Sequence, residues 1–591
     1  MSRLIRSRNW LAKCVVMAAG LVVVPAFANE ANREFELLAE DIWQYRLQQS
    51  PLSASYYGIE VNPGDMPDLS TATLRAEHKK TLGQLEQLAA INLDLLSEQN
   101  RINLAVLKHR LDNVADSYTY NAHQIPLTAE GGFHTSLGFL PGTTQFTDKQ
   151  DFENYLSRLS QFPRYFTQNI NWMRQGLKAG NSQPQVVLQG YEQSIDGYLT
   201  KDVKDNPFYK PFLRDYDFLS EEEMAALQLR AQDVVKSSVE VAYQYFREFM
   251  VDEYIPAART SIGVSETPDG KAFYANRAKH YTTTDLTPEQ IHELGLEQVK
   301  RIRAEMAEII KQVNFQGDFA DFLQFLRSDP QFYAKTPEQL LMKASYIAKQ
   351  MDAKLPTLFK HLPRTPYGVA PVPEHIAPKY TTGRYVGASK DTDAGYYWVN
   401  TYALDRRPLY ELEALTLHEA VPGHHLQISL SREMENTPLY RSSYYMSAFG
   451  EGWGLYAEWL GLEAGFYQDP YSNFGRLTYE MWRATRLVVD TGMHVMGWSR
   501  QQAIDYMKQN SALSEHNITT EVDRYISWPG QALSYKIGEL TIRKLRKKAE
   551  DTLGGDFDVR EFHYQVLKNG SVPLSILEQQ IEDYLNSVKG S

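Results

Sequence analysis

TPEQIHELGLEQVKRIRAEMAEIIKQV, residues 287–313, reads as a helix whose start is written out. Thr287 is an N-cap, Pro288 fits the first helical position and Gln290 completes a capping box. Helical periodicity then runs through Ile291–Val313. Thr336-Pro337-Glu338-Gln339 carries the same signals. Ser220-Glu221-Glu222-Glu223 and Ser499-Arg500-Gln501-Gln502 follow the capping-box logic, and Met224–Tyr254 holds a second long helical period. Strand-like alternation is scarce. Its best instance is Gly395–Thr401, Gly-Tyr-Tyr-Trp-Val-Asn-Thr, rich in aromatics with a β-branched residue. The expected class is mainly α, a large multi-helix fold with one small β element.

Three stretches read as loop-rich but not as polar linkers: Ile125–Asp148, Asp252–Tyr281 and the proline-rich Leu355–Gly395. They predict ordered crossings. With no internal repeat, the chain divides into an N-terminal helical region, 29–285, and a C-terminal catalytic helical region, 286–591. The 591 residues, 43% hydrophobic with 37 Tyr, 25 Phe and 9 Trp, suffice for a large core.

Residues 1–28 read as a secretory signal. Arg3, Arg6, Arg8 and Lys13 give a positive start, Val15–Val24 an apolar run, and Ala26-Phe27-Ala28 a small-x-small cleavage site. The apolar run falls short of the roughly 20 residues of a membrane span, so stable membrane insertion after cleavage is not expected. A periplasmic location follows, with secretion as the alternative. Cys14 is the single cysteine and lies inside the signal, which excludes disulfides, a cysteine nucleophile and thiolate ligands from the mature chain. The signal holds four basic and no acidic residues, so its removal leaves 57 Lys and Arg against 73 Asp and Glu, near −16. That charge argues against a nucleic-acid partner.

The chemistry concentrates in His418-Glu419-Ala420-Val421-Pro422-Gly423-His424-His425. It resembles the His-Glu-x-x-His signature of zinc peptidases, in which two histidines share a helical face and the Glu activates water. Here the second His is six or seven residues on. Along an unbroken helix seven residues span about 10 Å, too far for two imidazoles to share one ion at about 2.1 Å each. Pro422 and Gly423 supply the remedy, because both break helices. A bulge there would return His424 to His418, so His424 is preferred as ligand over His425. Capping or packing is the alternative role for these histidines. Glu451, between two glycines in Gly-Glu-Gly-Trp-Gly-Leu-Tyr-Ala-Glu (450–458), is the third-ligand candidate. Glu458, two turns further, is a second ligand candidate or a supporting group.

His-Glu-Ala-Val-Pro-Gly-His-His-Leu-Gln, Glu-Gly-Trp-Gly-Leu-Tyr-Ala-Glu, Arg-Leu-Val-Val-Asp-Thr-Gly-Met-His (486–494) and Trp-Pro-Gly-Gln-Ala-Leu-Ser-Tyr-Lys-Ile-Gly (528–538) together resemble the DUF885 family. Gly131–Leu137 and Tyr281–Pro288 fit it too. The family is similar to α-helical zinc metallopeptidases with a Glu third ligand, of the carboxypeptidase and oligopeptidase groups. The resemblance implies a deep central cleft.

One zinc ion on two His and one Glu keeps a position open for water. Glu419 would serve as general base and then pass the proton to the leaving amine. Tyr535 and His494 are candidate donors to the tetrahedral intermediate, with Tyr525 behind them. Arg486, Asp490 and His494 form a helical stripe, read as a buried network supporting the site. Arg486, Arg524 and Lys536 are candidates for a substrate carboxylate, and Tyr397 and Asn400 lie in a segment that would pair with an extended substrate as an edge strand. The expected activity is that of an exported zinc-dependent metallopeptidase acting on a peptide. The alternatives are an amidase or esterase on a small amide or ester, and a non-catalytic binding protein.

Overall fold

The structure, a computed structural model, describes residues 8–374, 376–388 and 392–589, and the side chains of these except residues 8–28 and Lys379. The signal assignment for residues 1–28, with Cys14, therefore lies outside the residues described in full. The chain is 69% helical with a few small sheets, so the mainly-α expectation holds.

Two compact units form. The first comprises residues up to Pro126, Gly131–Gln175 and Glu192–Tyr254; the second comprises Leu127–Glu130, Gly176–Tyr191 and the chain from Ile255 onward. The change at Tyr254–Ile255 precedes the sequence-based boundary at residue 285. The first unit is helical around an aromatic core. Phe133 packs edge-on against Phe166 and Phe246 at 5.0 and 4.9 Å, and Tyr198 stacks on Tyr243 at 4.4 Å. The Met224–Tyr254 periodicity corresponds to a continuous helical run from Glu221, interrupted by π-helical segments at Val235–Val239 and Phe249–Tyr254.

The second unit contains α1 (Pro288–Gln312), strands β1 (Tyr367–Pro371), β2 (Gly383–Val386) and β3 (Gly395–Val399), then α2 (Leu412–Glu419), α3 (His424–Arg432), α4 (Ser447–Leu460), α5 (Pro470–His494), α6 (Glu515–Ser527) and α7 (Ser534–Leu553). The cap that opens α1 is as read: the Thr287 hydroxyl accepts from Gln290 N–H at 3.3 Å and the Gln290 side chain accepts from Thr287 N–H at 2.9 Å. Thr336 caps its helix likewise, but Gln339 accepts from Lys335 N–H instead of closing the box.

Two of the loop-rich stretches contain more structure than expected. Asp252–Tyr281 is largely helix, Gly270–Thr282. Leu355–Gly395 supplies β1 and β2, which flank the predicted strand. β3 pairs parallel with β1, from Tyr367↔Gly395 to Pro371↔Val399, and antiparallel with β2, from Gly383↔Val399 to Val386↔Tyr396. β3 is thus the central strand, and the expectation of a free edge at Gly395–Thr401 is corrected. The aromatic and β-branched stretch is the most buried strand because it has neighbours on both sides.

Helix α5 is buried over nearly its whole length. Its apolar face, with Phe474, Leu477, Met481, Ala484 and Val488, joins Val299, Ile302, Met306 and Ile309 of α1 in one core. Gly295 permits this approach: a Cβ there would lie 2.7 Å from Leu487 Cβ. The remaining face of α5 carries Arg476, Glu480, Arg483, Arg486, Asp490 and His494, all buried. Buried charges need partners, and these anchor α5 to its neighbours. Glu480 accepts from Lys536 at 2.8 Å, Arg483 lies 3.7 Å from Glu458, and Asp490 accepts from the Tyr274 hydroxyl at 2.6 Å and Gly530 N–H at 3.2 Å. Of the stripe read from the sequence, Arg486, Asp490 and His494 are buried rather than solvated, and each is bonded to other elements rather than to the other two.

Helices α4 and α7 cross through two glycines. A Cβ on Gly452 would sit 2.6 Å from Gly538 Cα, and one on Gly538 would sit 1.9 Å from the Ala448 carbonyl oxygen. Gly538→Ala is therefore expected to lower unfolding free energy by about 1–3 kcal/mol, the usual cost of overpacking. Urea titration of the variant beside the native protein measures it; an unchanged midpoint would show that the crossing can open freely.

Candidate metal centre

Helix α2 carries His418 and Glu419 in its last turn, and α3 begins at His424. Between them the helix is interrupted at Ala420–Gly423, with a cis Val421–Pro422 peptide. The helices stay linked by the His425 N–H bond to the Ala420 carbonyl, 3.1 Å. Gly423 is required by crowding, since a Cβ would lie 1.9 Å from the His418 carbonyl oxygen. The Trp453 indole of α4 donates to the Pro422 carbonyl at 2.8 Å and fixes the bend. The result is the return of His424 to His418: the two rings stand perpendicular, 89°, with centroids 4.7 Å apart.

Glu451 of α4 completes the group. Its Oε2 lies 3.5 Å from Nε2 of His418 and 3.5 Å from Nε2 of His424. One donor atom from each residue can be chosen so that all lie within 4.8 Å of one another, among the described residues searched. Donors about 2.1 Å from one tetrahedral ion stand roughly 3.4 Å apart, so the separations suit a shared divalent ion. The donor types, two imidazoles and a carboxylate, are those of hydrolytic zinc sites.

Each glycine around Glu451 has its own neighbour. A Cβ on Gly450 would meet the Tyr445 ring at 2.3 Å; on Gly452, the backbone of α7; on Gly454, the His418 imidazole at 2.6–2.9 Å. Gly454 is therefore what lets His418 lie against α4. On its far side, His418 Nδ1 is 2.7 Å from Glu458 Oε1. That contact sets Glu458 behind His418, leaving Nε2 turned to Glu451. Arg483 holds Glu458 in turn.

The electrostatics follow. Burial disfavours the His418 cation, but hydrogen bonds to Glu451 and Glu458 outweigh it and lift the imidazole to about 9. Burial likewise works against the Glu451 anion, yet His424 and His418 hold its carboxyl well below the usual carboxylate range. Without metal, the group keeps a proton that a metal ion must displace.

Glu419 points toward the sheet. Its Oε2 accepts from Tyr385 N–H of β2 at 2.8 Å. In the β2–β3 ladder the Asn400 N–H bonds the Thr382 carbonyl, so by alternation Arg384 and Val386 face β3 and the amide of Tyr385 faces outward. Tyr445, which the sequence reading missed, reaches the other side of the group: its hydroxyl donates to Glu451 Oε1 at 3.1 Å, while 43% of the residue is exposed. Crowding around the hydroxyl and then the Glu451 charge keep this phenol protonated. No spacing signal marked it, because Tyr445 lies six residues before Glu451 and ahead of the start of α4.

Other expected site residues have structural positions. His425 turns away from the group: its Nδ1 is 3.0 Å from the Tyr385 hydroxyl, its ring lies 4.5 Å from that of Tyr367, and burial pushes it down to about 4. His494 is fully buried, with Nδ1 accepting from Val264 N–H at 3.2 Å and Nε2 bonded to the Tyr525 carbonyl at 2.9 Å, so it has no nitrogen left for a reacting group. The Tyr525 hydroxyl is occupied by Trp482 and Arg486. Lys536 is 0% exposed and ion-paired with Glu480 and Glu539, each at 2.8 Å. Tyr397 is fully buried against Thr416, and Asn400 clamps the loop carbonyls of Ala377, Tyr380 and Thr381. These four, His494, Lys536, Tyr397 and Asn400, face the interior. Short-range sequence gives chemical type but not the side of the element. Tyr535 is half buried with its ring under the Arg486 guanidinium, 4.3 Å away. Arg524 lies beside them.

The family described as "Bacterial protein of unknown function (DUF885)" matches residues 51–581. The chain belongs to that family. Two solved structures resemble this DUF885 protein. A protein from Colwellia psychrerythraea, provisionally described as a lipoprotein, is 29% identical with a TM-score of 0.87, the match covering 94% of this chain and 99% of that one. A protein of unknown function from Shewanella oneidensis, also provisionally described as a lipoprotein, is 19% identical with a TM-score of 0.73, covering 93% and 99%. The second likeness bears on the fold alone. No curated protein matches the sequence.

Two outcomes are expected of this group. Glu458→Gln should weaken zinc affinity about 10- to 100-fold, as loss of a carboxylate behind a ligating histidine does, measured by competition with a chelating dye. In metal-free protein the raised His418 value contributes stability that is fully present below the unfolded value of 6.5 and is lost as pH rises through about 9. Thermal melts of EDTA-treated protein should fall over that window, and His418→Gln should flatten the fall.

Proposed function

We propose that this is an exported, zinc-dependent hydrolase of the metallopeptidase type, cleaving peptide amide bonds. The observation that carries the reading is Glu419, placed by α2 next to a His418–His424–Glu451 group and oriented by the Tyr385 amide. A protein that only stores or binds metal has no use for an oriented carboxylate beside the ligand set.

His418, His424 and Glu451 would hold the ion, with Glu458 fixing the His418 tautomer. Zinc there would supply Lewis acidity and lower the pKa of a coordinated water toward neutrality. Glu419 takes a proton from water as its oxygen attacks the carbonyl carbon. The same carboxyl then delivers the proton to the leaving nitrogen as the C–N bond breaks, giving a carboxylate and an amine. Tyr445 replaces Tyr535 and His494 as the candidate donor to the developing oxyanion, because its protonated hydroxyl already reaches the ligand group. The outward edge of β2 offers backbone carbonyls to an extended peptide, the role first given to β3.

An exported location is supported by the descriptions of the two similar proteins as lipoproteins and by the signal-like start of the sequence. Among the described residues no helix is long and apolar enough to cross a membrane. The periplasm is the proposed compartment.

Elemental analysis should find about one zinc per chain, largely lost in His418→Ala and Glu451→Ala. Glu419→Gln should retain the zinc but lose about 10²–10⁴-fold in peptide hydrolysis, the usual contribution of a general base. A Glu419→Gln protein that hydrolyses peptides as fast as the native one would remove the basis of the proposal.

A further inference from the structure

Of the three cations considered for a substrate carboxylate, Lys536 is consumed by an interior ion pair. Arg486 and Arg524 are not consumed. Arg486 is 2% exposed. Its Nε donates to the Tyr525 hydroxyl at 2.7 Å and its Nη2 to Glu521 at 3.0 Å, while its Nη1 is buried with no hydrogen-bond partner. Arg524 donates from Nη1 to the same Glu521 carboxylate at 3.3 Å and from Nη2 to Gln531 at 2.5 Å.

The pair is connected to the metal-ligand group by one short route, from Arg524 through Gln531 to α4. Gln531 donates to the Ser447 hydroxyl at 3.4 Å, and Ser447 lies one helical turn before Glu451 on α4.

The charge balance leaves a surplus. Two guanidinium groups share one half-buried carboxylate, Glu521. The other anions bearing on them are Glu130, which is exposed, and Asp490, which is already bonded to Tyr274 and Gly530 and which burial pushes up to about 7. A buried guanidinium N–H without an acceptor is costly, and a carboxylate supplies both the acceptor and the charge, often in a two-point contact.

Resting on the hydrolase reading, we infer that Arg486 and Arg524 form a subsite for a carboxylate of the substrate, so that the protein acts on peptides carrying a free carboxylate near the scissile bond. The carboxylate comes either from a peptide C-terminus or from an acidic side chain. Tyr535 is the wall of this subsite rather than an oxyanion donor.

The test is calorimetric binding of three tripeptides, Ala-Ala-Phe as free acid, Ala-Ala-Phe-amide and Ala-Ala-Asp-amide, to zinc-supplied Glu419→Gln protein. The free acid should bind about 10- to 100-fold more tightly than Ala-Ala-Phe-amide, the range of a charge-assisted hydrogen bond. Arg524→Gln, at the more exposed member of the pair, should erase the preference, and Arg486→Lys should reduce it with the fold monitored by circular dichroism. Tight binding of Ala-Ala-Asp-amide would support the subsite with a side-chain carboxylate as its source. Equal binding of all three peptides, no binding of any, or a preference that survives both substitutions would overturn it. Turnover by the native protein separates the two proposals: hydrolysis without carboxylate preference sinks the subsite alone, and preference without hydrolysis sinks the hydrolase reading alone.

Discussion

Two histidines six residues apart point about 120° away from each other around a straight helix and lie about 9 Å apart along its axis. They can face one point only if the helix breaks between them and restarts at once, and the second unit is arranged around that break. Gly423 makes room for the break, Trp453 ties it to α4, and α4 brings Glu451 to the same point. Gly454 and Gly452 then fix how closely α4 can approach His418 on one side and α7 on the other. A change in any of these approaches moves a donor atom.

Helix α5 supplies the rigidity. A helix buried on all sides would usually be apolar all round, yet this one carries six buried polar or charged residues along one stripe. Such groups add little net stability, because desolvation offsets their attraction, but breaking one partnership is expensive. They therefore act as orientation constraints. Arg483 reaches Glu458 behind His418, Asp490 braces Gly530 before α7, and His494 bonds the last turn of α6. One helix sets the positions of three others that bear on the site.

The sequence disclosed the helices, their caps and the meeting of His418, His424 and Glu451, because those depend on local spacing. Thr287 and Ser220 announce helix starts through bonds to residues three positions away. The return of His424 followed from Pro422 and Gly423. What was not legible depends on which way an element faces. Tyr397 and Asn400 look suited to a substrate until the strands on either side of β3 are known, and those strands arise from a proline-rich stretch that reads as loop. His494 and Lys536 have reactive groups, but partners 31 and 56 residues away in the chain hold them. Tyr445 was overlooked because tyrosines are common here, and only its 3.1 Å contact with Glu451 singles it out.

The hold on Glu419 comes from a main-chain amide and not from a side chain. Among the twenty residues only proline lacks that hydrogen. Truncating the Tyr385 side chain would disturb the packing around His425 but leave the donor where it is. The orientation of the catalytic candidate is thus shielded from almost every single-codon change at the position that provides it. Sequence drift at Tyr385 would register as altered stability long before it registered as a misdirected carboxylate.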